Sequence, residues 1–312
     1  MENPLASDDG LLVGQRSLVY LRREWLSDLR SENRSTNTIK WYGAKLEYLE
    51  RQTGIKTLDQ LTKGVINSFL AGIADGTLPD SKKQGSDAYR AGFWRAIKAF
   101  IYWCRRNGYE PHHSLLNNEQ KFSLRKPKEE DVIIEIFTPD EVEKMREIAH
   151  HIGARELLAV EILLSTGIRM FELVNIELDD IQGSNLKVRG KGRKVRYPPL
   201  PTRLQKMLSV YQRKYRPGSP TDKLFLTDNG QPLSWWGMNS LLKRLQKITG
   251  IHIHAHKFRH TFATRYLEKN PGQIEKLRLI LGHSDYKVLM RYLHLAGQQA
   301  IADSYDEDDP FR

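Results

Sequence analysis

His256, Arg259 and His260 fall within five consecutive positions, and a tyrosine, Tyr292, stands further along behind the run Leu281-Gly282-His283. Residues three apart lie on one face of a helix, so a helical segment here lets His256 and Arg259 address a single anion. Tyr292 adds what a phosphate-binding cluster lacks, a nucleophile. A phenol with a reference pKa of about 10 is a poor nucleophile at neutral pH, so it needs a neighbouring base or a positive field.

The same stretch invites a metal reading, because His252, His254, His256 and His260 crowd together and His256 with His260 has the i, i+4 spacing of helical zinc ligands. A hydrolytic zinc helix of that kind carries a glutamate between its histidines. Lys257 and Arg259 stand there instead, and their charges repel a cation. The expectation is an active centre with no metal and no cofactor.

The elements that must position these residues fall into two groups. From Ser17 to Gly108 the pattern is helical and strand signals are missing. Ile39, Tyr42, Leu46 and Leu49 follow an N-cap at Ser35 and run out near Gly54. Val65, Ile66, Phe69, Leu70 and Ile73 follow Thr62 and end at Asp75-Gly76. Tyr89, Phe93, Ile97, Phe100, Ile101 and Cys104 end at Asn107-Gly108. This predicts a helical bundle over 13–115, with Lys82, Lys83, Arg90, Arg95, Lys98, Arg105 and Arg106 on polar faces suited to phosphate contact. Residues 116–137 mix charges with one proline and lack a helical period, which reads as a linker. Thr138-Pro139-Asp140-Glu141 then opens a second domain, 138–312, with a capping box and proline at the first helical position. There a densely apolar helix from Leu157 to Ser165 ends in Thr166-Gly167-Ile168-Arg169. Leu186–Arg189 and Val195–Tyr197 form a hairpin around Gly190-Lys191-Gly192, and Leu224–Leu233 a second one around Asp228-Asn229-Gly230. The fold class is mainly α with a small β component: a helical domain followed by an α+β domain.

Composition fits that picture. The 312 residues suffice for two cores, and 49 Lys and Arg against 38 Asp and Glu give a net charge of +11, which favours a polyanionic partner. No apolar run approaches the roughly 18 residues that span a bilayer, and the N-terminus lacks a secretory pattern, so a soluble cytoplasmic protein is expected. Cys104 is the only cysteine, which excludes an internal disulfide and a CxxC metal knuckle.

Taken in order, Thr-Gly-Ile-Arg-x-x-Glu-Leu, Gly-Lys-Gly in a hairpin, His-x-x-Arg-His-Thr-Phe-Ala-Thr, Leu-Gly-His and Tyr-x-His resemble the tyrosine recombinases, the phage integrase and Xer family. The motifs lie between residues 164 and 294, and the helical first domain looks like that family's core-binding domain. The resemblance implies that Arg169 and Arg259 hold the scissile phosphate, for which their paired N–H donors suit. It implies that His283 adds a hydrogen bond, that Lys191 protonates the departing 5′ oxygen, and that His256 assists proton transfer or phosphate binding. It further implies that Glu172 is the acidic residue that supports Arg169, and that Tyr292 attacks phosphorus to form a 3′-phosphotyrosyl link without ATP or metal. Tyr286 and Tyr305 are rival nucleophiles, but Tyr292 alone has the family spacing and is followed by His294. The implied partners are double-stranded DNA with inverted-repeat sites and further copies of the chain, a tetramer on two sites joined through a Holliday junction. Two alternatives share much of this pattern: relaxation of supercoils in the manner of a type IB topoisomerase, and a DNA-binding protein without catalysis.

Overall fold

The computed structural model describes residues 17–81, 83–128, 134–190, 194–282, 286 and 289–297. The chain divides into two compact units, Met1–Val132 and Ile133–Arg312.

Among the described residues of the first unit four helices run Leu18–Ser31 (α1), Thr36–Thr53 (α2), Lys63–Asp75 (α3) and Asp87–Arg106 (α4). Three of these starts have a local cause. The Ser35, Thr62 and Ser86 hydroxyls accept the amides of Thr38, Val65 and Tyr89, capping α2, α3 and α4. Gly54 and Gly76 end α2 and α3 in the left-handed conformation. The apolar faces meet in one core around Trp25, Leu46, Phe69, Phe93 and Phe100, in which Cys104 is fully buried.

The segment read as a linker is shorter than its composition suggested. Leu124 is buried in the first unit's core, its carbonyl accepts the Trp94 indole N–H, and the Ser123 amide donates to the Leu115 carbonyl. Phe137 is fully buried in the second unit, and its amide donates to the Thr261 hydroxyl. The apolar residues inside the charged stretch, too few to show a period, dock it at both ends.

The second unit holds Pro139–Ile152 (α5), Ala154–Thr166 (α6), Met170–Val174 (α7), Thr202–Lys214 (α8), Trp235–Thr249 (α9), Ala255–Lys269 (α10) and Ile274–Leu281 (α11). The capping box forms at α5: Thr138 Oγ1 accepts the Glu141 amide, and the Glu141 carboxylate accepts the Thr138 amide. Buried Glu161 on α6 joins α5 and α8 by accepting from Arg146 and Arg203. Among the described residues two antiparallel pairs accompany these helices, Ile181–Gln182 (β1) with Asn185–Leu186 (β2) and Val188–Arg189 (β3) with Val195–Arg196 (β4). The second of these is the predicted hairpin; β1 with β2 is too short to have left a period. The Leu224–Leu233 hairpin consists of a single bridge, Leu226 to Pro232. Among the described residues no helix is long and apolar enough to cross a membrane.

Candidate active site

Three elements place the arginines. α6 ends at Gly167, whose φ of 60° is the left-handed cap, and a Cβ there would lie 2.5 Å from Phe262 Cδ1 and 2.8 Å from Leu281 Cδ2. Glycine is therefore needed twice, for the backbone angle and for the close approach of α6 to α10 and α11. That approach lets Arg259 on α10 donate from Nη1 to the Gly167 carbonyl at 2.7 Å and from Nη2 to the Leu281 carbonyl at 2.8 Å. The guanidinium is 4% exposed and spans the C-terminal ends of two helices. Helix ends carry partial negative charge, which offsets part of the cost of burying it.

Arg169 leaves the core at the α6–α7 junction, and its side chain is 40% exposed. Its backbone amide donates to Glu172 Oε2 at 2.7 Å and its Nη1 to Oε1 at 3.1 Å. Arg196 on β4 completes the clamp on that carboxylate, with Nη1 2.8 Å from Oε1 and Nη2 2.6 Å from Oε2. The Arg196 Nε donates to the Ile280 carbonyl at 2.9 Å. Burial pushes the Glu172 carboxyl up, but the Arg196 fork and the Arg169 amide outweigh it and hold it below the usual carboxylate range. Gly282 has a φ of 66°, and a Cβ there would lie 2.9 Å from Arg196 Cδ, so glycine at this position leaves room for this arginine. Sequence reading missed Arg196; it was one more cation in a basic hairpin, and only its partner marks it.

The helical residues 289–297 bury Leu289, Tyr292 and Ala296 along one face, against Ala263, Leu267, Leu277 and Leu281. Spacings of three and four put the Tyr292 ring on that face, 2% exposed. The hydroxyl nevertheless reaches the site: it lies 2.9 Å from His260 Nδ1. Burial raises the phenol pKa against the pull of Arg259, Arg291 and Arg169. His260 is driven down to about 4 by burial and by His256, His254 and Arg259. It is thus neutral near pH 7, and in the tautomer that carries its proton on Nε2 its Nδ1 accepts a hydrogen bond from the phenol. Its own signal in the sequence was the position directly after Arg259.

Buried positive charge dominates the cleft. Burial first, then Arg169 and Arg196, lower Arg259 to about 9, and partial desolvation with Arg259 and Arg169 lowers the exposed His256. Cations gathered at the expense of one another's protonation stabilise an anion placed between them. The structure thus brings together Arg169, Glu172, His256, Arg259 and Tyr292, with His260 and Arg196 added. Lys191 and His283 lie outside the described residues, as does Tyr305. Tyr286 is not in the pocket; its hydroxyl bonds Glu275. The His256 and His260 rings stand 6.2 Å apart between centroids, with His260 Nδ1 turned to Tyr292.

On the first unit, Lys82 lies outside the described residues. Lys83 and Arg95 are exposed, Arg90 pairs with Asp87, and Lys98 lies 4.9 Å from the Trp94 ring centroid. Lys45 joins Arg95 on this face, its ammonium 3.6 Å from the Tyr89 ring centroid and 3.8 Å from that of Phe93. Burial and the Arg95 charge lower it to about 8. It was not singled out in the sequence because one lysine in an amphipathic helix carries no signal.

A mainly helical chain with a second, α+β unit that gathers arginines about a tyrosine is a defined class of fold and site. The phage integrase family model matches residues 135–299. The chain belongs to the phage integrase family and, with it, to the tyrosine recombinases. It is 36% identical over 184 residues to tyrosine recombinase XerC of Staphylococcus haemolyticus, a match covering 55% of this chain and 61% of that protein's length. It is 28% identical over 293 residues to tyrosine recombinase XerD of Listeria innocua, covering 88% of this chain and 93% of that one. Among solved structures it shares the fold of a lambda integrase dimer bound to a core site, with a TM-score of 0.71 at 18% identity over 94% of this chain and 81% of that one. It likewise shares the fold of XerH bound to a palindromic difH substrate, with a TM-score of 0.64 at 20% identity over 90% and 85% of the two chains.

Proposed function

We propose that this chain is a site-specific DNA recombinase that cuts and rejoins strands through a 3′-phosphotyrosyl intermediate. The observation that carries the reading is the Tyr292 hydroxyl, 2.9 Å from the neutral His260 ring and under the influence of the Arg259 and Arg169 charges. The phenol oxygen attacks the scissile phosphorus, a P–O bond to tyrosine forms, and the bond to the 5′ oxygen breaks. His260 takes the phenolic proton. Arg169 and Arg259 hold the non-bridging oxygens as charge builds on them, an interaction worth on the order of 3 kcal/mol for each donor lost in comparable sites. Glu172, gripped by Arg196, fixes the Arg169 backbone and side chain. His256 assists at the phosphate. The assignment of Lys191 as proton donor to the 5′ oxygen and of His283 as a further phosphate ligand rests on their motif positions. The released 5′ hydroxyl, or one from a second duplex, reverses the step, so the bond energy is conserved.

The partner is double-stranded DNA, in keeping with the net charge of +11 and the basic face of Lys83, Arg90, Arg95 and Lys98; Lys82 is assigned there by its sequence position. Inverted-repeat sites and a tetramer on two of them follow from the family. A suicide DNA substrate tests the reading: wild type forms a covalent protein–DNA adduct, and Tyr292→Phe forms none while still binding DNA. An adduct on Tyr292→Phe overturns the assignment. Joined recombinant products distinguish strand exchange from relaxation alone.

A further inference from the structure

Next to α10, outside the arginine pocket, two extended segments converge. In 251–254 the apolar residues Ile251 and Ile253 point inward, 7% and 5% exposed, and the Ile253 amide donates to Gln246 Oε1 at 2.9 Å. Alternation along an extended chain then turns His252 and His254 outward on the same side. The second segment is pinned by Phe137, fully buried, whose amide is held by Thr261 at 2.9 Å. Two residues earlier, Glu135 faces the histidines, with Oε2 3.3 Å from His252 Nδ1. One ligand atom from each of Glu135, His252 and His254 lies within 4.8 Å of the other two, and all three residues are exposed. The nearest basic side chain in sequence, Lys257, is buried and turned to Glu141 at 3.7 Å.

We propose that Glu135, His252 and His254 bind a divalent transition-metal ion of the zinc class, and that the ion uncaps α10 when it binds. Two imidazoles and a carboxylate suit zinc, cobalt or nickel rather than the oxygen-seeking magnesium or calcium, and water completes the coordination. The Glu135 carboxylate offsets the repulsion of the cation by the helix N-terminus. The second half follows from the tautomers of one ring. His254 is the N-cap of α10, and its Nδ1 accepts the Lys257 amide at 3.2 Å. A ligating imidazole is neutral, with one nitrogen on the metal and the proton on the other. Whether the metal takes Nδ1 or Nε2, Nδ1 is left without a free lone pair, and the Lys257 amide loses its side-chain acceptor and keeps only the His254 carbonyl at 3.0 Å. The helix loosened at its first turn is the one that carries His256, Arg259 and His260.

Calorimetric titration of the full chain with zinc chloride, paired with amide hydrogen exchange, tests this without reference to DNA chemistry. The expected result is one ion per chain, with affinity reduced about ten-fold or more in Glu135→Gln and in His252→Ala. Zinc should speed exchange of the Lys257 amide about five-fold, as loss of a cap does, in wild type and not in His252→Ala. Both variants alter exposed side chains that do not cap α10, so the metal-free fold is kept. Absence of binding, or affinity in both variants equal to that of wild type, overturns the site. Binding with unchanged Lys257 exchange overturns the uncapping.

Discussion

The Tyr292 hydroxyl and His260 Nδ1 lie 2.9 Å apart within one chain. A ring that is only 2% exposed thus presents its oxygen to a neutral imidazole while its carbon face fills the core. A base at that distance is in reach of the proton it must remove. His260→Ala should slow adduct formation about a hundred-fold in single-turnover assays and leave DNA affinity unchanged. An asparagine in place of the histidine keeps a hydrogen-bond acceptor but no base, so His260→Asn should be about as slow as His260→Ala. Equal rates in wild type and alanine variant would remove His260 from the reaction.

The same burial gives stability a pH dependence. Histidine's ordinary value is about 6.5, and the folded protein holds His260 at about 4, so between those values the unfolded chain binds more protons than the folded one. Stability from this residue is complete above pH 6.5 and is lost as the pH falls toward 4. Urea midpoints for wild type should decline across that window more steeply than those of His260→Asn, whose side chain does not titrate.

Glu172 and Arg196 are each other's main partner, 3% and 10% exposed at their side chains. Removing one member leaves the other buried with only part of its partners, Arg169 for Glu172 and the Ile280 carbonyl for Arg196. Glu172→Ala or Arg196→Ala should cost about 3–5 kcal/mol of unfolding free energy and reduce cleavage as Arg169 loses its support. Glu172→Leu combined with Arg196→Met should recover much of the stability without the activity. Denaturant titration and the adduct assay, run on the three variants, check both halves.

Gly167→Ala and Gly54→Ala separate strain from crowding. Both glycines have positive φ, 60° and 71°, but a Cβ at Gly54 meets nothing within 4 Å, whereas at Gly167 it runs into Phe262 and Leu281. Gly54→Ala should cost about 1–2 kcal/mol from backbone strain alone. Gly167→Ala should cost about 1–3 kcal/mol more through overpacking, and should depress cleavage because the Gly167 carbonyl holds Arg259. Thermal melts of the two variants, with cleavage measured on each, provide the comparison.

The helices were legible because their causes are local. Ser35, Thr62, Ser86 and Thr138 cap the helices that follow them, Gly54 and Gly76 close two of these and Gly167 closes α6, all within a few residues of the pattern they bound. Arg169, Glu172, His256, Arg259 and Tyr292 stood out because their types and order suit phosphate chemistry. Arg196 and Lys45 did not. The importance of Arg196 comes from Glu172, 24 residues earlier in the chain, and that of Lys45 from the rings of Tyr89 and Phe93 on another helix.

By itself, then, the sequence determined where the helices begin and end, that the surface is cationic, and which side chains hold the arginine forks and the phenol. Tertiary structure alone decided that Arg259 bridges the carbonyls ending two helices, that Arg196 locks Glu172, that the phenol meets His260, and that His252 and His254 find Glu135. Capping and periodicity are set by neighbours a few residues apart, whereas a carboxylate's partner, a ring's acceptor and a cluster of ligands depend on contacts between distant segments that exist only once the core has closed.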